Sequence, residues 1–124
     1  MDVISSGHDP RGPEAKRLPF ADAEPGMAGA ETLLAMTLGL VRDEVIDMTR
    51  AFELLATNPA NLLGVEAGAL VEGHEADIAL IDPEAPWFVD RTKMEATASN
   101  TPFDRQGVQG RVRALFKGGV EIDL

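Results

Sequence analysis

A short apolar segment followed by a long run rich in proline and glycine is the feature that most constrains this fold. Residues 2–6 (D-V-I-S-S) predict a buried strand. Residues 7–28 then carry four prolines and three glycines. Loops of that length are uncommon in compact domains and usually functional. Because a buried strand has neighbours on both sides, we expect the chain to be a piece of a larger sheet.

Two helices are predicted after the loop. Residues 29–42 place apolar side chains at helical spacing. A second helix is expected to begin after Asp47, which is a suitable N-cap. We expect Asn58 to end that helix, because a residue before proline avoids the helical region, and then to cap a further turn that stops at Gly64.

From residue 65 the pattern changes to short strands and turns. Strands are predicted at residues 76–83, 87–89, 111–117 and 120–122, with an irregular polar stretch at 91–107 and a hairpin turn at Gly118-Gly119. The sequence therefore predicts an α/β chain in two parts, residues 1–64 and residues 65–124.

The charge of the chain excludes some partners. The formal net charge is −10 over 124 residues, which disfavours nucleic acid and anionic membrane surfaces. No apolar run reaches the roughly 18 residues of a membrane span, and no signal peptide is apparent at the start. With no cysteines there is no thiolate metal site. We expect a cytoplasmic protein.

The candidate site is the segment from Gly7 to Arg11, directly after the predicted strand. In barrels of parallel strands, such loops build active sites. His8 and Asp9 are able to bind metal or transfer protons, but a zinc site needs three or four ligands, so a solvated loop is the simpler interpretation. For Lys16-Arg17, a solvated pair and an anion-binding pair both stay open.

Several ordered motifs resemble those of dihydroorotases, within the amidohydrolase superfamily. The matching segments are S-S-G-H-D-P-R at 5–11, E-A-K at 14–16, P-G-M-A-G-A-E-T at 25–32, N-P-A at 58–60 with Leu63-Gly64, the G-x-L-x-x-G-x-x-A-D-I run at 68–78, and N-T-P-F at 100–103. The match runs from about residue 4 to residue 119. The number and order of the motifs make it specific.

The resemblance implies a (β/α)8 barrel with a small β-sandwich domain. This chain would supply the last βα unit of the barrel, followed by the carboxy-terminal strands of the sandwich. The implied reaction interconverts dihydroorotate and carbamoyl aspartate in pyrimidine biosynthesis. The family uses zinc, but the histidine pair and the other metal-binding positions lie outside this chain, so no zinc is expected for the chain alone.

Two positions depart from the family pattern. The general base of the family, an aspartate after the last barrel strand, corresponds to Gly7, which cannot accept a proton. The histidine that binds the substrate carboxylate corresponds to Arg11, which can pair with a carboxylate. Pro25 and Gly26 fall where backbone contacts the substrate. The resemblance thus implies that the catalytic position is lost, that Arg11, Pro25 and Gly26 bind the substrate, and that this chain supplies no metal ligand.

These departures leave three interpretations. The first is an inactive carboxy-terminal fragment of a dihydroorotase-like enzyme. The second is a non-catalytic homologue that serves as a structural partner of aspartate carbamoyltransferase. The third is an unrelated small acidic binding module. Exposed strand edges and apolar surface also predict self-association as a homo-oligomer.

Overall fold

The computed structural model describes residues 1–124, and its first half is helical. The helices are α1 (Pro13–Lys16), α2 (Leu33–Arg42), α3 (Met48–Phe52) and α4 (Asn58–Leu63), with a 3-10 turn at Ala30–Thr32 before α2 and a π turn at Glu53–Thr57 between α3 and α4. No helix combines the length and apolar character needed to cross a bilayer.

The predicted start of the second helix is confirmed, but its predicted end is wrong. Asp47 is extended at φ −85° and ψ 172°, and its Oδ1 accepts the backbone N–H of Arg50 at 2.7 Å. Asn58 is itself helical, at φ −69° and ψ −42°. A π turn lies just before Pro59, so the hydrogen-bond ladder is already altered where the proline would interrupt it. The helical run continues to Gly64, whose φ of +68° ends it as predicted.

Residues 2–6 do not form the predicted strand. The segment lies against the helices instead: Ile4 donates its N–H to the Leu54 carbonyl at 3.0 Å, and the Asn58 side chain donates to the Asp2 carbonyl at 2.8 Å. A strand exists only where a neighbouring strand pairs with it, and no other strand of the chain lies beside this segment.

The second half folds into one antiparallel sheet of order β1-β2-β3. Its strands are β1 (Ile78–Phe88), β2 (Gly107–Lys117) and β3 (Val120–Ile122). The predicted hairpin at Gly118-Gly119 is confirmed. The two strands predicted at 76–83 and 87–89 are one strand, with an irregular stretch between Asp82 and Pro86.

Asp82 makes that continuity possible. Its Oδ1 accepts the backbone N–H groups of Glu84 and Ala85, each at 3.1 Å, which takes the place of ladder partners at the irregularity. Its Oδ2 pairs with Arg113 on β2 at 2.8 Å. The Arg113 hydrogen bond, followed by that of the Glu84 amide, lowers the pKa of Asp82. The Asp82 side chain thus bridges the gap between the two predicted strands.

Asp77, in the A-D-I motif, fastens the hairpin. Its Oδ1 accepts the N–H of Gly118 at 2.9 Å, and its other oxygen binds Lys117. Gly119 donates to the Ala76 carbonyl at 3.0 Å. The Lys117 hydrogen bond, followed by that of Gly118, holds the pKa of Asp77 below its ordinary value. The start of β1 is thereby tied to the turn between β2 and β3.

Helix α2 packs on strand β2, and the core lies between them. Ala35, Val89 and Val108 are buried there, with Met36, Trp87 and Phe103 packed around them. Trp87 thus packs against this core, while Phe88, the next residue of β1, is 73% exposed. The division of the chain into domains at residues 64 and 65 stays a prediction, and this core lies across it.

We predict that Asp47→Ala lowers the free energy of unfolding by about 1 kcal/mol, because it leaves the Arg50 N–H without its acceptor. Urea unfolding followed by circular dichroism measures the change. Asp43→Ala is the matched control: Asp43 follows α2, where a negative charge is not favoured, and its side chain makes no hydrogen bond. Equal midpoint shifts for the two variants would contradict the capping role.

Candidate functional site

The loop at residues 7–28 is folded back on itself. Its two ends run side by side, because His8 and Met27 form a parallel bridge and the Asp9 N–H donates to the Met27 carbonyl at 2.8 Å. Helix α1 lies within the loop, and the Glu24 N–H donates to the Ala15 carbonyl at 3.2 Å. The residues predicted to contact substrate at 11 and at 25–26 are therefore brought together.

Arg11 is at the centre of this loop. Its Nε donates to the Pro25 carbonyl at 3.2 Å, and its two terminal nitrogens pair with Asp9 at 2.8 Å and Glu24 at 3.0 Å. The side chain is 37% exposed, and each carboxylate is 53% exposed. Exposed ion pairs of this kind are worth about 0–1 kcal/mol each, so an incoming carboxylate could displace one of them at small cost. The guanidinium also has N–H groups left to donate.

Gly26 allows the two ends of the loop to approach. Its φ is +115°, and a Cβ at this position would lie 2.4 Å from the Asp9 carbonyl oxygen. A side chain is excluded both by the backbone conformation and by this contact. Gly26 also accepts a hydrogen bond through its carbonyl from Asn100 Nδ2 at 2.9 Å.

Asn100 is a residue whose role the sequence did not reveal. Its Oδ1 accepts the Arg11 N–H at 2.8 Å while its Nδ2 donates to Gly26, so one amide group joins both ends of the loop. The N-T-P-F motif was the only sequence signal that pointed to Asn100, and it did not indicate what this asparagine contacts. Residues 89 positions apart meet here, and spacing cannot reveal such a contact.

Gly7 lies at the entrance of the loop in the left-handed region, with φ +56°. A Cβ at this position would meet no other atom within 4 Å. Aspartate is among the residues that tolerate this conformation. The position therefore has room for the acidic side chain that the resemblance leads one to expect, although glycine occupies it.

His8 acts as a helix cap. Its Nδ1 accepts the backbone N–H groups of Gly29 at 3.3 Å and Ala30 at 3.1 Å, at the turn that leads into α2. With Nδ1 as acceptor, the ring proton of the neutral imidazole lies on Nε2. The imidazole thus satisfies two of the donors that a helix start leaves free.

The residues of this chain do not fit a zinc site. Nδ1 of His8 is used by backbone donors, and Asp9 is paired with Arg11. Nowhere in the chain do three side chains of the types His, Cys, Asp or Glu come together as a ligand set would require.

The basic pair at 16–17 is split by the fold. Lys16 Nζ donates to the Glu24 carbonyl at 2.6 Å, and this bond joins helix α1 to the end of the loop. Arg17 is exposed and makes no ion pair. Lys16 therefore has a partner within the loop, whereas Arg17 has no ion-pair partner in the chain.

Comparison with known proteins identifies the family. The model of the amidohydrolase family matches residues 22–122. The chain belongs to the amidohydrolase family. A dihydroorotase of Geobacter metallireducens is 37% identical over 119 residues, and one of Pelobacter propionicus is also 37% identical over 119 residues. In both cases the match covers 96% of this chain and 28% of the relative. The amidohydrolase chain thus spans little more than a quarter of these relatives.

Solved structures give the same family of folds. A D-hydantoinase matches 98% of the chain and 28% of its own length, with a TM-score of 0.86 and 28% identity. Dihydropyrimidinase from Brevibacillus agri NCHU1002 matches the same shares with a TM-score of 0.90 at 22% identity, which shows the fold alone. The arrangement of helices and small antiparallel sheet is therefore that of this amidohydrolase group.

We predict that Gly26→Ala destabilises the chain by about 2 kcal/mol, because an unfavourable φ and a clash with Asp9 act together. Urea unfolding gives the free energy, and hydrogen exchange at the Asp9 amide reports the loosened loop. Gly12→Ala is the control, since Gly12 has φ −66° and meets only the end of the Glu14 side chain, at 3.4 Å. A Gly26→Ala variant as stable as Gly12→Ala would refute the packing argument.

A second prediction concerns metal retention. After dialysis against zinc and then against metal-free buffer, the chain should hold far less than one ion, because its donors cannot close a site alone. Elemental analysis measures the content, and His8→Ala serves as the comparison. One ion per chain in the parent and none in His8→Ala would mean that His8 is a ligand after all.

Proposed function

We propose that this chain is the carboxy-terminal part of a dihydroorotase-like cyclic amidohydrolase, whose reaction interconverts dihydroorotate and carbamoyl aspartate in pyrimidine biosynthesis. The observation that carries the proposal is the cluster of Arg11, Pro25 and Gly26, which unites a guanidinium with the backbone positions of the resemblance. The identity of 37% to dihydroorotases over nearly the whole chain supports the substrate class. Residues 1–64 are proposed as the end of the barrel and residues 65–124 as sandwich strands.

Arg11 is proposed to bind the substrate carboxylate. Asp9 and Glu24 hold its guanidinium in place, and neither is buried. A substrate carboxylate would take over one of these positions as a charge-assisted hydrogen bond, for which arginine offers paired N–H groups. The carbonyls of Pro25 and Gly26 are used by Arg11 and Asn100, so substrate contact there would involve other backbone atoms or a rearrangement.

Gly7 is proposed as the reason for inactivity of the chain by itself. Proton abstraction needs a titratable side chain within hydrogen-bond reach of the reacting group, and Gly7 supplies none. Zinc would belong to the complete enzyme, where it would activate water. The ligands for it would come from outside this chain.

A non-catalytic homologue that partners aspartate carbamoyltransferase is the second candidate function. The same glycine favours it, because such a protein needs the fold without the base.

Self-association of the chain is a further proposal, supported by apolar side chains that are exposed to solvent. Only 13 of 124 residues are buried, whereas Phe20 is 99% exposed and Leu70 is 84% exposed. A cytoplasmic location is proposed with either function.

We expect the isolated chain to give no turnover of dihydroorotate above the buffer blank, because the base and the activated water are both lacking. Ultraviolet absorbance follows ring opening, and the Geobacter metallireducens dihydroorotase is the positive control. Turnover that co-purifies with the chain and disappears in Arg11→Ala would overturn the proposed inactivity.

The role of Gly7 has its own test in any longer form of this protein that carries the metal ligands. There, Gly7→Asp should raise the rate, since a carboxylate has room at this position and tolerates its φ of +56°. Gly7→Asn is the matched control of the same shape without the charge. Equal rates in the two variants would show that the missing base is not the cause.

A further inference from the structure

We infer that Asn100 is the positioning residue of this site, holding Arg11 and Gly26 in register from the far end of the chain. The inference rests on the proposed function and deepens it. Asn100 makes three contacts with the loop: Oδ1 accepts from Arg11 N–H at 2.8 Å, Nδ2 donates to the Gly26 carbonyl at 2.9 Å, and its own carbonyl accepts the Ala28 N–H at 3.3 Å.

These contacts join segments of the chain that are too far apart in sequence for a single helix or turn to bring together. Asn100 is 89 residues from Arg11 and 74 residues from Gly26. Within the loop, Arg11 reaches the Pro25 carbonyl through a side chain that is more than a third exposed. The Asn100 bonds are partly buried, and partly buried hydrogen bonds are screened less by water than exposed ones. Asn100 therefore fixes the spacing between Arg11 and Gly26, which the exposed Arg11 side chain alone could not fix.

Asn100 can act as a clamp because its own segment is anchored. Phe103, three residues later, packs against the core formed by Ala35, Val89 and Val108. Phe103 N–H also donates to Thr101 Oγ1 at 3.3 Å, which shapes the turn between the two. On the other side, Glu31 accepts the Ala96 N–H at 3.2 Å. The N-T-P-F motif thus combines an apolar anchor with a polar clamp.

Both ends of the amide are required by this geometry. An aspartate at position 100 would still accept from the Arg11 N–H, but it would lack the N–H that reaches Gly26. An alanine would lose both bonds and would leave the Arg11 amide and the Gly26 carbonyl without partners. Asparagine, aspartate and alanine at position 100 therefore predict three different hydrogen-bonding states of the loop.

Hydrogen exchange and carbon chemical shifts on the isotopically labelled full chain test the clamp. In Asn100→Ala, exchange at the Arg11 amide should rise about fivefold or more, as expected for loss of a bond worth about 1 kcal/mol, while amides of the β1–β2 ladder keep their rates. In Asn100→Asp, Arg11 protection should be retained and the Gly26 carbonyl shift should move as it does in Asn100→Ala. Asn58→Ala removes a comparable side-chain bond, to Asp2, and should leave Arg11 and Gly26 unchanged.

Three results would overturn the clamp: unchanged Arg11 exchange in Asn100→Ala, equal acceleration of the β1–β2 ladder, or Arg11 acceleration in Asn58→Ala. Titration with carbamoyl aspartate, followed at the Arg11 guanidinium, tests the proposed function separately. Binding to the parent chain that weakens about fivefold in Asn100→Ala supports both. Absence of binding to the parent removes the substrate assignment, while the exchange data still decide whether Asn100 is the clamp.

Discussion

The close approach of helix α2 to strand β2 holds the helical half and the sheet together. Gly110 makes this approach possible, because a Cβ there would lie 2.5 Å from Leu38 Cδ1, and its φ of +109° suits glycine. Ala35 offers a second small side chain at the same contact. The two halves of the chain therefore share a core, although their secondary structures have little in common.

The candidate site depends indirectly on the contact between α2 and β2. Phe103 lies in the shared core, and the segment that carries it presents Asn100 to the loop. The loop itself is held by backbone bonds between His8, Asp9 and Met27 and by a close contact at Gly26. A site made of exposed charges is thus positioned by neutral groups: a phenyl ring, an amide and a glycine.

The loop presents a guanidinium at position 11 and no side chain at position 7. The Arg11 guanidinium donates a hydrogen bond to the Pro25 carbonyl. At position 7 there is space for a side chain, but the residue is glycine. In the proposed function, substrate binding and catalysis would therefore depend on different positions, because binding needs only a charge and catalysis needs a titratable group at a defined position. This separation is consistent with both proposed functions.

The sequence alone determined the family, helix α2, the start of α3 and the hairpin. These follow from local rules: Asp47 caps its helix, Gly64 ends a helix, and Gly118-Gly119 turns a hairpin. Only the tertiary structure decided the rest. Residues 2–6 are not a strand because pairing needs a neighbour, β1 is continuous because Asp82 bridges its irregularity, and Asn100 meets Arg11 because α2 and β2 pack. The first and last outcomes depend on groups far apart in sequence, whereas the Asp82 bonds to Glu84 and Ala85 are local contacts of a side chain. Hydrophobic periodicity carries no information about either kind of contact.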